Sequence, residues 1–253
     1  MAQRNALIIG IRNWDSICTA IAAELKKAGF TVYATYQGDE TFADVEMVAK
    51  GLGIEKIFPY DARHTESLDA FVSAFAQEGV KLDALVHGIS YATASGAKLN
   101  LPLVEVTWQE FTDAIRVGAF SLVELSGKLL PYMNEGASVL AISFRWGRVA
   151  VKNFNVACAA KAALESAVRG LAQSLGKAKK IKVNAISPGH VPTHLLSKLG
   201  NSLEILAKEK ARSPLGSTVR RRDVASLSVS LLENSSISGM VYTIDCGVES
   251  SEG

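Results

Sequence analysis

Short apolar runs alternate with longer segments of helical periodicity along the whole chain. The runs, rich in valine and isoleucine, predict strands at 6–9, 31–36, 56–60, 84–88, 138–143, 182–187 and 240–245. The segments between them predict helices near 16–29, 40–52, 65–78, 107–133, 153–175 and 223–233. Repeated strand–helix units with strands apolar on both sides are typical of an α/β fold, in which helices cover both faces of one parallel sheet.

The length and the connections predict one domain. A chain of 253 residues can bury one sizeable core, and we expect a single domain over 1–253. The segment 193–216, "THLLSKLGNSLEILAKEKARSPLG", lies between Pro192 and Pro214 and is long and partly apolar. It is predicted to be a helical flap that covers a substrate site; a plain surface excursion is the alternative.

Composition narrows the class of partner. Lys and Arg number 27 against 25 Asp and Glu, so global charge favours neither nucleic acid nor a membrane surface as a partner. No apolar run approaches the ~18 residues of a spanning helix, and the start lacks a signal-peptide core, so a cytoplasmic protein is expected. The three cysteines are scattered without CxxC spacing, which suggests neither a disulfide framework nor a metal site.

The first strand–helix turn is the first candidate for binding chemistry. In "ALIIGIRNWDSI" a strand runs into Gly10, and a helix is expected to start near Ser16. Backbone amides at a helix start, supported by the helix dipole, suit a pyrophosphate. The GxGxxG spacing of dinucleotide-binding folds is missing, and Ser16 can equally be read as a helix N-cap.

The ends of the second and third strands bear on the choice of nucleotide. "YQGDE" (36–40) has no Arg or Lys to hold a 2′-phosphate, while Asp39 and Glu40 would repel one. NADH is therefore favoured over NADPH, although the two acids can also be a solvated helix start. Asp61, in "YDAR", is placed where an adenine amino group could bind; a turn or capping aspartate is the alternative.

Several short stretches in a fixed order carry a resemblance to a known family. They are "GIRNWDSI", "TYQGD", "VHGISYA", "NFNVACAAKAALE", "VNAISPGHVPT" and "SGMVYTIDCG". Together they resemble the short-chain dehydrogenase/reductase superfamily and, within it, the divergent branch of enoyl-acyl-carrier-protein reductases, from about Ala6 to Gly247. The resemblance implies a single-domain, Rossmann-like, doubly wound sheet of seven parallel strands. It also explains the missing glycines, because that branch has one glycine six residues before a Ser-Ile pair.

The resemblance also implies a cofactor-binding set. The pyrophosphate of NADH would lie near Gly10, Ile11, Ser16 and Ile17, and the adenosine near Gln37, Asp61 and Ala62. The nicotinamide side would lie near Gly88, Ile89, Ser90, Lys161, Gly189, Val191 and Thr193.

The catalytic positions depart from the family pattern. The enoyl reductases of this branch carry one tyrosine seven residues before the lysine and another ten residues earlier; here these positions are Phe154 and Phe144, with Lys161 as the lysine. A spacing of seven places Phe154 and Lys161 on one helix face. Neither ring can donate a proton to the oxygen of a reduced enoyl thioester. Lys161 is expected to hold cofactor ribose hydroxyls, with a surface lysine as the alternative.

Other groups are candidates for the missing donor. They are Tyr91, whose hydroxyl is an addition near the expected site, and Ser143, Ser90 and His190; packing roles are the alternative for each. His87 is expected to be a packed histidine, and His64 and His194 exposed ones. The arginines at 220–222, 145 and 148 are read as solvated, or as contacts for coenzyme A phosphates or an acidic carrier protein.

Two main functions follow. The first is an NADH-dependent reductase of an enoyl thioester or a related conjugated carbonyl, carried on acyl-carrier protein or coenzyme A, with an altered proton donor. The alternative is an NAD(H)-binding protein that has lost reduction and serves a binding or assembly role. An ordinary ketone or alcohol dehydrogenase is disfavoured because the Tyr-x-x-x-Lys pair is missing, with Ala157 in the tyrosine position. The resemblance implies a homotetramer.

Overall fold

The computed structural model describes residues 3–90, 102–149, 155–197 and 201–251. Its strands are β1 (Arg4–Ile9), β2 (Phe30–Tyr36), β3 (Lys56–Pro59), β4 (Leu82–His87), β5 (Met133–Ile142), β6 (Lys182–Pro188) and β7 (Val241–Ile244). They form one parallel sheet in the order β3-β2-β1-β4-β5-β6-β7. The predicted seven-stranded, doubly wound α/β fold is confirmed.

The helices follow the predicted segments with one clear exception. They are α1 (Ile17–Lys27), α2 (Asp39–Leu52), α3 (Thr65–Ala76), α4 (Trp108–Ile115), α5 (Ser121–Leu129), α6 (Asn155–Lys179), α7 (His194–Ser197), α8 (Ser202–Arg212) and α9 (Arg221–Glu233). The single helix predicted over 107–133 is wrong: a π-helical segment, Arg116–Phe120, separates α4 from α5.

The end of that segment also differs from the prediction. A 3₁₀ turn, Leu130–Tyr132, contains Pro131, which cannot continue an α-helix. β5 therefore starts at Met133 rather than at Ser138. Its pairing with β4 is irregular at the start, because Leu82 lies opposite Met133 whereas Ala84 lies opposite Ser138.

Alternate residues of each strand supply two separate cores. On β1, Leu7 and Ile9 pack in the cluster under α3, α5 and α6, whereas Ala6 and Ile8 pack under α1, α2 and α9. All four are fully buried. Fully burying a side chain such as Leu or Ile stabilises the fold by ~1.5–3 kcal/mol, so both helical layers are held to the sheet by apolar burial.

The sheet order fixes where a ligand can bind. The chain connects β1 to β2 and β3 on one side, then crosses to β4, β5, β6 and β7 on the other, so the winding direction reverses between β1 and β4. In open α/β sheets the crevice outside the carboxyl ends of the strands, at such a reversal, is the binding site. The predicted cofactor residues after β1, β2, β3, β4 and β6 all lie along this edge.

Candidate active site

The winding direction of the sheet reverses between β1 and β4, and the backbone segments after these two strands come into close contact at Gly10 and Gly88. Gly10 has a φ of +115°, and a Cβ there would lie 2.6 Å from the carbonyl oxygen of Gly88. A Cβ on Gly88 would lie 2.2 Å from Sγ of Cys18 in α1. The amide of Gly88 also donates to the carbonyl of Ile9, at 2.8 Å. Both positions therefore need glycine, because two strand ends and a helix start meet there.

The loop that leads into α1 is folded around the hydroxyl of Ser16. Its Oγ accepts hydrogen bonds from the backbone amides of Arg12 (3.2 Å) and Asn13 (3.1 Å). The reading of Ser16 as the N-cap of α1 is confirmed, although its side chain makes no hydrogen bond to the helix. Ile11 is buried and Ile17 half-buried. Because no side chain caps α1, its first amides remain suited to an anion.

The ends of β2 and β3 carry acidic groups. Gln37 is exposed, and α2 begins at Asp39 with Glu40 beside it. Ala62, after β3, is buried.

Asp61 is a partner of Arg63. Its carboxylate accepts from Nε of Arg63 at 3.0 and 2.9 Å, and its backbone amide donates to Oγ of Ser67. Burial alone would raise the pKa of Asp61, but the hydrogen bonds and charge of Arg63 outweigh it and lower the pKa below its usual value. Asp61 is therefore an ion-paired carboxylate in the loop after β3. Its contact with an adenine amino group stays a prediction.

Lys161 is buried at the carboxyl ends of β4 and β5. Its side chain extends from α6, and Nζ donates to the carbonyl oxygens of Ile142 (2.9 Å) and Ile89 (3.2 Å). The residue is only 6% exposed, so the reading as a surface lysine is wrong. Burial lowers the pKa of Lys161 to about 8, although Cys18 and Glu165 act in the opposite direction. An ammonium has three N–H bonds, and carbonyls take two of them here.

A buried carboxylate lies one helical turn beyond that lysine. Glu165 is 6% exposed, and its Oε1 accepts from the hydroxyl of Ser143 at 2.7 Å. Arg148 approaches its Oε2 at 3.4 Å. Ser143, considered above as a substitute proton donor, is fully occupied in this arrangement because its only proton goes to Glu165.

His87 is a packed histidine, as expected. Its Nε2 lies 2.8 Å from Oγ of Ser121, and that hydroxyl donates to the carbonyl of Val117. The ring must therefore donate from Nε2, which leaves Nδ1 as a buried acceptor without a partner among the described residues. Burial, and then the charge of Lys161, lower the pKa of His87 to about 3, so the ring is neutral at physiological pH.

The ends of β5 and β6 are joined by a cluster that includes Phe144. The Phe144 ring packs edge to face against the His190 ring, with centroids 5.3 Å apart. Oε2 of Glu209, in α8, accepts from the backbone amide (3.0 Å) and lies 2.7 Å from Nδ1 of His190. Oε1 accepts from Arg145 at 2.8 Å. The segment 193–216 contains α7 and α8. Through its contacts with His190, Glu209 holds this segment to the edge of the sheet. The role of the segment as a substrate-covering flap stays a prediction.

The remaining residues predicted on the nicotinamide side follow β4 and β6. The amide of Gly189 donates to Ile244, and a Cβ on Gly189 would lie 3.2 Å from Oε1 of Glu209. Val191 is buried, and Oγ1 of Thr193 accepts from the amide of Leu196 in α7. Ser90 is exposed at the end of the β4 loop.

Two predicted catalytic residues, Phe154 and Tyr91, lie outside the described residues. Their roles stay predictions.

The arginines at 220–222 make surface ion pairs. Arg220 pairs with Asp223 at 2.8 Å, and Arg221 pairs with Asp15 in the β1–α1 loop. Asp223 lies in the first turn of α9 and accepts a hydrogen bond from the amide of Arg220.

Sequence reasoning missed two buried acids. The burial of Glu165 could have been predicted, since this acid follows Lys161 by one helical turn in a segment of small and apolar residues. The burial of Glu209 could not have been predicted, because "AKEKAR" is typical of a solvated helix face. Glu209 is buried because α8 approaches β6.

The edge fits a dinucleotide such as NADH. Gly10 leaves the space that a Cβ would fill, the start of α1 lacks a side-chain cap, and Lys161 supplies a cation between β4 and β5. Acidic side chains, and no Lys or Arg, follow β2 within residues 36–40. These features suit a pyrophosphate and a ribose without a 2′-phosphate.

The described ranges also bear on membrane and metal binding. None of their helices is both long and apolar enough to cross a membrane. Those ranges also hold no group of three or more His, Cys, Asp or Glu residues arranged to bind a metal ion.

Comparisons with known proteins agree with this geometry. The family model for enoyl-(acyl carrier protein) reductase matches residues 10–249. The NADH enoyl-(acyl-carrier-protein) reductase FabI of Nostoc sp. is 33% identical, with 98% of this chain and 97% of that protein covered. A crystal structure of the Anaplasma phagocytophilum enoyl-(acyl-carrier-protein) reductase in complex with NAD is 29% identical, with a TM-score of 0.90, covering 99% of this chain and 93% of that one. The Bacillus cereus enoyl-acyl carrier protein reductase, solved with NADP⁺ and an indole naphthyridinone, is 29% identical, with a TM-score of 0.91 and 99% and 98% coverage.

Proposed function

The chain belongs to the enoyl-(acyl carrier protein) reductase family, and on that basis we propose that it reduces the carbon–carbon double bond of an enoyl thioester with NADH. The observation that carries the proposal is the position of Lys161. A buried ammonium lies at the carboxyl ends of β4 and β5, next to the Gly10–Gly88 contact where the sheet reverses direction. A buried charge in a ligand-binding crevice is typical of a functional site.

When bound, NADH supplies the hydride that adds to the β-carbon of the enoyl thioester. The chain's own residues bind and orient: Gly10 and the start of α1 face the pyrophosphate, and Lys161 offers its remaining N–H to a ribose hydroxyl. Reduction leaves negative charge on the thioester oxygen, which a hydrogen-bond donor must stabilise.

The two phenylalanines define what is unusual in this reductase. Phe144 and Phe154 stand where the family's tyrosines donate, so a hydroxyl is missing at both positions. Losing one such donor typically lowers the rate by ~10²–10³. Hydride transfer is therefore weakened rather than prevented, unless another group donates.

The same two residues favour a second candidate function. A protein that binds NADH without reducing a substrate could serve as a binding or assembly subunit. Against it, the cofactor edge is intact in the described residues: Gly10 keeps its close contact, and Lys161 stays buried and paired. Burying a charge costs free energy, so a buried ammonium at this edge supports a retained binding site.

The proposal also covers the carrier of the acyl substrate and the oligomeric state of the protein. The acyl chain would be held on acyl-carrier protein, as the names of the relatives indicate for those proteins, or on coenzyme A. A homotetramer is supported by exposed aromatic side chains on the α4–α5 segment, where Trp108 is 80% and Phe120 46% exposed in one copy. A cytoplasmic location stays a prediction.

The experiment that tests the proposed function is NADH oxidation with short enoyl thioesters of coenzyme A and of acyl-carrier protein, with NADH binding measured separately by calorimetry. Turnover that needs both NADH and the enoyl group supports the reductase. Tight NADH binding without turnover of any enoyl thioester supports the binding subunit instead. Sedimentation velocity of the same sample gives the oligomeric state.

A further inference from the structure

Glu209 and His190 form a carboxylate–imidazole pair at the carboxyl end of β6. The same carboxylate receives the amide of His190, its Nδ1 and the guanidinium of Arg145. Glu209 is 6% exposed, whereas the His190 side chain is 15% exposed. The acid is thus enclosed and the imidazole reaches the surface of the crevice.

The carboxylate is charged in this setting. Burial alone would raise the pKa of Glu209, but the hydrogen bonds and charge of His190 and the charge of Arg145 lower it below its usual value. A carboxylate can only accept hydrogen bonds, so Nδ1 of His190 must be the donor. That bond fixes the ring, with Nε2 on the side away from Glu209.

The pair lies close to the proposed reaction centre. Phe144 follows β5 and packs against the His190 ring, and Lys161 donates to Ile142 at the end of the same strand. The adjacent Ser143 amide donates to Ile186, which joins the ends of β5 and β6. His190 and Lys161 therefore approach the end of β5 from its two sides, at the edge where ligands bind in such sheets.

Glycine at residue 189 lets the backbone come close to Glu209 and Asp245. A Cβ there would lie 3.2 Å from Oε1 of Glu209 and 3.2 Å from Cβ of Asp245. The oxygens of Asp245 are occupied by the amides of Gly247 and Glu249. Glu209 and Arg145 are charged groups of this cluster, and Asp245 lies close to Gly189.

We propose that His190, oriented by Glu209, is the proton donor that replaces the missing tyrosine hydroxyls in the reduction of the enoyl thioester. This inference rests on the proposed function. Glu209 acts as a positioning residue, because it holds Nδ1–H and turns Nε2–H outward.

The step balances as follows. The hydride of NADH forms the new C–H bond at the β-carbon, and the pair of electrons of the double bond moves to leave an enolate on the thioester. The Nε2–H bond of the imidazolium breaks, and its proton goes to the enolate, giving the saturated thioester after tautomerisation. NADH becomes NAD⁺, and the neutral imidazole regains a proton from water. A positioned general acid contributes ~10²–10⁴ in rate.

The test uses His190→Asn in the full-length protein. The asparagine amide can keep the bond to Glu209 in place of Nδ1, so α8 stays anchored, but no proton is left in the position of Nε2. We expect kcat on a short enoyl thioester to fall by ~10², with the NADH Kd and melting temperature close to wild type. Added imidazole should restore part of the rate in His190→Ala. Glu204→Gln, at an exposed pair on the same helix α8, is the matched control and should behave as wild type.

A readout that needs no turnover comes from the cofactor-free protein. Nitrogen NMR of labelled histidine should show an Nδ1–H on His190 that is lost or shifted in Glu209→Gln. A His190→Asn protein with wild-type kcat, or a His190 ring without a proton on Nδ1, would overturn the proposal and leave the pair as an anchor of α8. If the wild type binds NADH and reduces no enoyl thioester, the proposed function fails, and this role with it.

Discussion

The ammonium of Lys161 donates a hydrogen bond of 2.9 Å to the carbonyl oxygen of Ile142, the last residue of β5. A second bond, to Ile89, ties the same group to the loop after β4. The lysine therefore joins two strand ends and places a positive charge in the crevice between them. Because Lys161 joins two strand ends and is also the proposed contact of the cofactor, it is the most informative position to change.

Replacing Lys161 with Met should weaken NADH binding by about tenfold or more. Methionine keeps most of the volume but removes the charge and the N–H donors, and a hydrogen bond to a charged group is worth ~1.5–3 kcal/mol. Titration calorimetry measures the change. Lys128→Met, at an exposed pair with Asp69, is the control and should leave the Kd unaltered. Equal affinities in all three proteins would show that Lys161 does not contact the cofactor.

The burial of Lys161 should also appear in the pH dependence of stability. Its folded pKa is lowered to about 8 from an ordinary value of 10.5, so between these values the unfolded chain holds a proton that the folded protein has released. The contribution of this group to the free energy of unfolding therefore rises with pH across that window. Urea unfolding of wild type and Lys161→Met at several pH values isolates this contribution. Above about pH 8, the free energy of unfolding of wild type should rise relative to that of the variant. A pH-independent difference would mean that the pKa is not lowered.

NADH should bind more tightly than NADPH. A 2′-phosphate would meet Asp39 and Glu40 at the start of α2, with no Lys or Arg in residues 36–40 to pair with it. Removing both charges, in Asp39→Asn/Glu40→Gln, should reduce the difference between the Kd values of NADH and NADPH measured by calorimetry. Asp44 is exposed on the same helix, and Asp44→Asn should leave that difference unchanged. NADPH binding as tight as NADH binding in the wild type would contradict the prediction.

Phe154→Tyr should raise the rate of enoyl thioester reduction by ~10-fold or more, a part of what a general acid can supply. The prediction rests on the spacing of seven between Phe154 and Lys161 in the sequence, which places both on one face of a helix. The melting temperature distinguishes the outcomes, because a hydroxyl buried without a partner costs ~1–3 kcal/mol. A folded variant that binds NADH and is no faster would show that this hydroxyl is not what the site lacks.

Gly10→Ala should destabilise the protein and weaken NADH binding together. Its Cβ would lie 2.6 Å from Gly88 O, so β1 and β4 would have to move apart where the cofactor is expected. Gly29→Ala separates this clash from backbone strain, since Gly29 also has a positive φ, +85°, but open space around it. We expect only Gly10→Ala to change the NADH Kd. A similar change in both variants would assign the effect to the protein's general stability.

Most of the fold could be predicted from the sequence because its causes are local. Apolar runs such as 6–9 and 182–187 must be buried on both faces, and alternating helices then require a parallel sheet. The break at Arg116–Phe120 and the early start of β5 were not predictable, because helical periodicity continues through the π segment and the pairing of Met133 with Leu82 is a long-range choice.

The candidate site divides in the same way. The residue pattern alone was enough to single out Gly10, Lys161, the acidic end after β2 and the two phenylalanines that lack a hydroxyl, since each depends on residue type and spacing along one segment. The hydrogen bond from Ser143 to Glu165 and the contact between Glu209 and His190 could be seen only in the folded chain. These contacts join residues far apart in the chain, and the burial that gives a carboxylate its partners is a property of packed elements rather than of any one of them.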